Sequence, residues 1–362
     1  MPHSPDGIPG GGYTGSGALP GSLPSARAVS IDPVLSHLRK AITPLLTPGT
    51  ALVVAVSGGP DSMALMHLLV RSGLTNQHPT VVAHFDHALR IDSATDADFV
   101  IQQARQLHLT THVERWQHPP TTGNLLEQAR QARYHFLLRI ARHTDATAIL
   151  TGHQQDDQAE TFLERLLRGS GVRGLGAMAP VRPLEPFADT PIQLVRPLLA
   201  LRRDRLRHWL QTHHLPWRED PGNLDQRRLR SRLRQQTLPS LATLTPDGDP
   251  VSRLAQTAER LRDADKALAW SWQRVRPELD LLSLEPGTLS LSFPHLITLP
   301  DEIIRRALVH CHTTITGDPF PPGARAMAGF LHHLHLNRPT WSMRMRGMTV
   351  LRQQERLIFV AT

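Results

Sequence analysis

Between Ala51 and Leu167 short apolar, β-branched runs alternate with longer segments whose apolar positions recur at helical spacing. The pattern predicts strands over 51–56, 80–86, 110–116 and 146–151, and helices over 61–71, 93–108, 124–143 and 156–168, after a first helix around Val34 to Leu46. Strands separated by helix-length segments mean βαβ units and a parallel sheet, hence an α/β, Rossmann-like domain. Ligands of such sheets bind beyond the carboxyl ends of the strands. Three polar clusters fall there: SGGPDS at 57–62 after the first strand, HFDHALR at 84–90 on the second, and GHQQDDQAET at 152–161 after the fourth.

Residues 169–200, rich in glycine and proline, read as a long loop region before the helical RRDRLRHWLQTHH. A smaller α+β domain is expected from 245 to 362: a helix around 251–277, a β-like piece near 288–293, helices near 301–313 and 322–335, and a closing hairpin through MTVLRQQERLIFVAT. The nucleotide domain is then 31–244, and residues 1–30 form a flexible tail too poor in apolar surface to order. No internal repeat is visible.

Charge adds a partner. The formal charge is +8, and between Arg196 and Arg234 eleven arginines face four carboxylates, so one segment, 196–241, carries nearly all the excess. Only Lys40 and Lys266 are lysines, so arginine usage is general, and a solvated basic face is the plain alternative. QRRLRSRLR nevertheless packs five arginines into nine residues, and their planar forks suit phosphate: Arg205, Arg227, Arg228, Arg230, Arg232 and Arg234 are the expected RNA contacts. Trp209 and Trp217 read as packing residues. The single cysteine, Cys311, reads as a buried small hydrophobe and excludes an internal disulfide or a cysteine-ligated metal centre. No run of about 18 apolar residues suggests a membrane span, and no apolar leader is present, so a soluble cytoplasmic protein is expected.

The first cluster reads as a phosphate nest. Gly58 and Gly59 allow close approach, Pro60 suits a first helical turn, and Ser57 and Ser62 add hydroxyls. Asp61 would repel a bare triphosphate, so its natural role is to hold Mg2+ bridging phosphate oxygens. In the third cluster Asp156 and Asp157 open a helix, where carboxylates are also simple caps, and Glu160 and Thr161 share a face with Asp157. With His153 they could hold metal, accept a proton or grip an amine. His84, Asp86 and His87 could ligate a metal, but Asp86 and His87 read better as polar contacts lining the nucleotide pocket.

These residues resemble the PP-loop ATP pyrophosphatases, whose S-G-G-x-D-S signature is met at Ser57, Gly58, Gly59, Asp61 and Ser62. Within them the chain is most similar to the tRNA(Ile)-lysidine synthases. The G-H-x-x-D-D-x-x-E-T element is met at Gly152, His153, Asp156, Asp157, Glu160 and Thr161, and N-x-x-E-x-x-A-R-x-x-R-Y through Asn124, Glu127, Arg130, Arg133 and Tyr134. RGSGVRGLGAM and VRPLL at 195–199 also look like family elements, and the likeness covers roughly 50–241. Two positions depart from it: Gly222 stands where D-x-S-N has serine, and Ser231 where R-N-x-[IL]-R has asparagine.

The resemblance implies ATP as co-substrate with Mg2+, and as partners L-lysine and an isoleucine tRNA with a CAU anticodon, with a homodimer left open. The wobble cytidine would be adenylated at its C2 oxygen and the lysine amine would displace AMP. It implies Asp61, His153 and Asp157 in catalysis, and Arg133, Asp157 and Glu160 around lysine. Rival readings are a PP-loop tRNA thiolase, disfavoured by the lone cysteine, a small-molecule amide synthetase, disfavoured by the arginine segment, and a non-catalytic RNA-binding module.

Overall fold

The computed structural model describes residues 32–47, 49–89, 93–117, 124–184, 191–219, 228–318 and 321–362. The tail expected over 1–30 lies outside them. The first unit contains α1 (Pro33–Ile42), β1 (Ala51–Ala55), α2 (Pro60–Arg71), β2 (Thr80–Asp86), α3 (Ser93–Gln106), β3 (Thr110–Arg115), α4 (Leu125–His143), β4 (Ala146–Thr151) and α5 (Gln155–Leu167). It continues with β5 (Val181–Pro183), β6 (Gln193–Val195) and α6 (Arg203–Thr212). The six strands form one sheet in the order β3-β2-β1-β4-β6-β5, parallel except for β5.

β1 is apolar throughout because both its faces are covered. Leu52 and Val54 pack with α1, α2, α3 and α6, while Val53 packs with Phe136 and Leu137 of α4 on the opposite face. β2 and β3 extend to one side of β1 and β4 returns on the other, so the order reverses between β1 and β4. The crevice of a doubly wound sheet opens at that switch point. Paired in register from Leu52–Ala148 to Ala55–Thr151, the two strands deliver residues 57–60 and 152–154 side by side.

The stretch 169–200 is not simply loop: it carries β5 and β6, and β6 extends the parallel sheet. Each is three residues long and flanked by prolines, too short for a period-2 pattern to declare itself.

α5 does not lie on the sheet. Ala159, Phe162 and Leu163 pack against α7, a continuous helix through Leu229–Arg232, a π-helical turn at Leu233–Thr237 and Leu238–Leu244, and against α8 (Pro250–Val275). The far end of α8 enters a separate core through Trp272, with α9 (Asp301–Thr316), α10 (Ala324–His335) and an antiparallel sheet. That sheet runs β7 (Leu282–Glu285), β8 (Thr288–Ser292), β11 (Arg356–Ala361), β10 (Met348–Gln353), β9 (Thr340–Met345) in spatial order. Cys311 lies fully buried in this core, and burial pushes its thiol up to about 12.

Candidate active site

The loop after β1 is shaped by Gly58, whose φ of 89° lies in the left-handed region, and by Gly59, which precedes Pro60 as the N-cap of α2. No side chain caps α2, so its first-turn amides remain available to an anion. Ser62 Oγ accepts from the Ser57 amide at 3.1 Å and donates to the Gly59 carbonyl at 2.9 Å, which holds the loop in its turn. Gly152, just past β4, is glycine for a steric reason: a Cβ there would stand 2.8 Å from the Asp61 carbonyl oxygen and 2.9 Å from the Ser62 nitrogen. That close approach joins the phosphate loop to the start of α5.

At the start of α5 Gln154 is the N-cap, accepting from the amides of Asp156 and Asp157, while Asp157 Oδ2 accepts from the Gln154 amide at 3.1 Å. Capping is therefore part of what Asp157 does. Its other oxygen lies 3.6 Å from Arg203, which also donates to Glu160 Oε1 at 3.2 Å. Glu160 is fully buried and takes a second guanidinium: Arg234, from the π-helical turn, donates to Oε1 at 2.8 Å and to Oε2 at 3.3 Å. Asp156 Oδ2 accepts from the Arg203 amide at 2.9 Å.

Burial and the charge of Asp157 raise Asp61 from 3.8 to about 7, and its Oδ1 is buried with no hydrogen-bond partner. Asp157 is raised in turn by burial and by Glu160. Two carboxylates that resist joint ionisation, one with an orphaned oxygen, form an environment suited to a hard cation.

His153 has its Nδ1 2.8 Å from the Thr151 hydroxyl. Burial, then the positive field of Arg196, Arg133, Arg230 and Arg130, holds it well below the usual histidine range. It is neutral at pH 7. Arg133 comes from α4, with its Nε buried and unpartnered.

At the end of β2, Asp86 is buried, accepts from the Ala88 amide at 2.8 Å and lies 3.7 Å from Arg115. His87 is half-buried, with its ring edge-on to Phe85 at 5.0 Å. His84 Nδ1 lies 2.8 Å from the Val56 carbonyl and ties β2 to β1, and among the described residues no cluster of three or more metal-ligating side chains occurs.

The arginine segment divides. Arg234 is committed to Glu160, and Arg230 donates to Thr161 Oγ1 at 2.9 Å and lies 3.5 Å from Glu164. Arg205, Arg228 and Arg232 are exposed, as is Arg230 despite its contacts, while Arg227 and Gly222 fall outside the described residues. Ser231, where the family pattern has asparagine, is buried. The sequence marks Arg196 only as part of the VRPLL element and Arg203 only through composition, which cannot say which arginines face carboxylates.

The family model for the PP-loop domain matches residues 33–241. A tRNA(Ile)-lysidine synthase from Ruegeria pomeroyi is 39% identical over 331 residues, covering 91% of this chain and 75% of the relative. Another from Methylobacterium nodulans is 42% identical over 274 residues, 75% of this chain and 78% of the relative. Among solved structures, the U34-tRNA thiolase NcsA from Methanococcus maripaludis, solved with its iron–sulfur cluster, shares the fold with a TM-score of 0.53 at 16% identity, covering 63% of this chain and 77% of that one. Cluster ligation takes several thiolates, whereas this chain has one cysteine, buried in the other core. Phosphate loop, capped acidic helix and sequence agree: the chain belongs to the tRNA(Ile)-lysidine synthase family of PP-loop proteins.

Proposed function

We propose that this chain joins L-lysine to C2 of the wobble cytidine in the CAU anticodon of isoleucine tRNA, through an adenylated tRNA, with release of AMP and pyrophosphate. Family membership supports an ATP-dependent, carbon–nitrogen-bond-forming ligase acting in tRNA modification. The observation that carries the finer reading is the contact of Gly152 with the Asp61–Ser62 backbone, which puts an anion-binding helix start beside a buried acidic cluster.

In the first step the cytidine C2 oxygen attacks the α-phosphorus and the bond to the β-phosphate oxygen breaks. The uncapped amides of α2 and the Ser57 hydroxyl stabilise the departing pyrophosphate. Asp61, with its buried unpartnered oxygen, would hold Mg2+, which would supply neutralisation of the leaving group's charge.

In the second step the lysine side-chain nitrogen attacks C2 and the bond to AMP breaks. Asp157 and Glu160 bind the incoming ammonium, which must lose a proton before attack. Asp157, raised by burial and by Glu160, is suited to hold that proton. His153, kept neutral by burial and the arginines, serves first as a hydrogen-bonding group, and phosphate entering among those arginines raises its basicity. Because Arg203 and Arg234 already occupy Glu160, lysine binding requires at least one of them to shift. A cytoplasmic reaction is part of this proposal, since its tRNA and ATP substrates are there; separately, among the described residues no helix is long and apolar enough to cross a membrane.

Lysine incorporation into a transcript tRNA by Asp157→Ala tests the assignment. A loss of roughly 10²-fold or more is expected for removal of a proton-accepting group, and near-normal turnover contradicts it.

A further inference from the structure

Four arginines, from α4, β5 and the residue after β6, surround Tyr134. Arg130 and Arg133 of α4 lie over its ring at 5.0 and 5.3 Å, and Arg182 of β5 at 5.9 Å. Arg196, one residue past β6, is 4% exposed and donates to the Ala179 carbonyl at 2.6 Å. The Nε atoms of Arg196 and Arg133 are buried without partners. Burial pushes the Tyr134 phenol up, but the surrounding guanidiniums more than reverse it.

Among the described residues no carboxylate lies in salt-bridge contact with any of these four arginines. Arg202, Arg203, Arg230 and Arg234, on the α5 side of the crevice, are each paired with one. Among the described residues the site thus has an acidic half with its cations in place and a cationic half whose arginines pair with no carboxylate. His153 stands at the seam, within the field of Arg196, Arg133 and Arg130.

We infer that the cage of Arg130, Arg133, Arg182 and Arg196 around Tyr134 is an oxyanion site for the RNA phosphodiester backbone beside the reacting nucleotide. The inference rests on the reading that the chain acts on tRNA. Buried guanidinium nitrogens without partners match phosphate oxygens in geometry and charge. Three guanidiniums lie over one aromatic ring, which gathers them before an anion arrives. The family resemblance puts Arg133 near lysine, but an amino-acid carboxylate suits the cage less well: one negative charge answers only one of four cations, and lysine as a whole is cationic, so Arg133 is assigned here to the RNA backbone instead. Arg130 is exposed and Arg182 half-buried, which leaves an opening through which a polymer can continue.

The test is binding of an isoleucine tRNA transcript, without turnover, by the full chain and its Arg182→Gln and Arg182→Lys variants across a salt series. Arg182→Gln is expected to weaken binding about tenfold and to reduce the slope of log affinity against log salt by about one, the effect of one lost phosphate contact. Arg182→Lys, which keeps the charge, is expected to retain the slope. Unchanged affinity and slope in Arg182→Gln overturn the inference. So does a raised KM for lysine with none for 1,5-diaminopentane, which lacks the carboxylate, or a raised KM for ATP with RNA binding intact. Failure of the lysidine reading would show separately, as wild-type chain that binds the transcript without lysine-dependent AMP formation.

Discussion

A carboxylate buried beside another holds its proton longer, and Asp61 faces that situation with Asp157 as neighbour. Its folded value of about 7 lies above the ordinary 3.8, so from roughly pH 4 to 7 the folded chain keeps a proton that the unfolded chain has released. Stability contributed by this group therefore falls as pH rises through that window and stays lowered above it. Asp61→Asn is expected to abolish pyrophosphate release yet, without divalent ions, to melt higher than the wild type at pH 8, with the difference shrinking towards pH 5. Mg2+ should raise the melting temperature of the wild type more than that of the variant; thermal unfolding with and without Mg2+ checks both. Gly152→Ala must push the strand end away from the Asp61 carbonyl, since a Cβ 2.8 Å from that oxygen cannot be accommodated. A shift of about 1 Å at a reacting centre can cost roughly 10²-fold. A comparable fall in kcat/KM for ATP is expected in pyrophosphate-release kinetics.

At the scale of elements, α5 is held on two sides. Phe162 packs it against α7 and α8, and Phe162→Ala is expected to cost about 3–5 kcal/mol in urea unfolding. Arg234 fixes the π-helical turn to Glu160, and Arg234→Gln leaves that buried carboxylate with Arg203 alone, a loss of about 1–3 kcal/mol measurable the same way. β1 to β4 and their helices were legible because strands buried on both faces and amphipathic helices differ sharply in apolar spacing. β5 and β6 were not, since their placement comes from pairing, of β6 with β4 and of β5 with β6, rather than from their own residues. For the site, the glycines and acids were legible as types at strand ends. The partners of the arginines were not, because a run of like charge does not specify what it faces: Arg230 and Arg234 turn inward to Thr161 and Glu160, while Arg196, outside the dense run, is buried beside Tyr134.

Across the whole molecule, the sheet's switch point brings the uncapped start of α2 and the acidic start of α5 together at its crevice, with the arginines around Tyr134 acting on His153; in the proposed reading these hold phosphate, the lysine amine and RNA. α8 ties that crevice to the second core, since Arg262 donates to the carbonyls of Gly176 and Met178 and Trp272 packs among the C-terminal helices. Such a layout suits a reaction that brings together a nucleotide, a polyanionic RNA and a cationic amine. The most direct measurement is AMP formation from ATP by the purified chain with lysine and a CAU-anticodon isoleucine tRNA transcript, alongside a transcript whose wobble cytidine is changed to guanosine. The account predicts AMP in proportion to lysine incorporated, only with lysine and the cytidine-bearing transcript together. AMP formation independent of lysine and of the wobble base, or none with all substrates present, would contradict it.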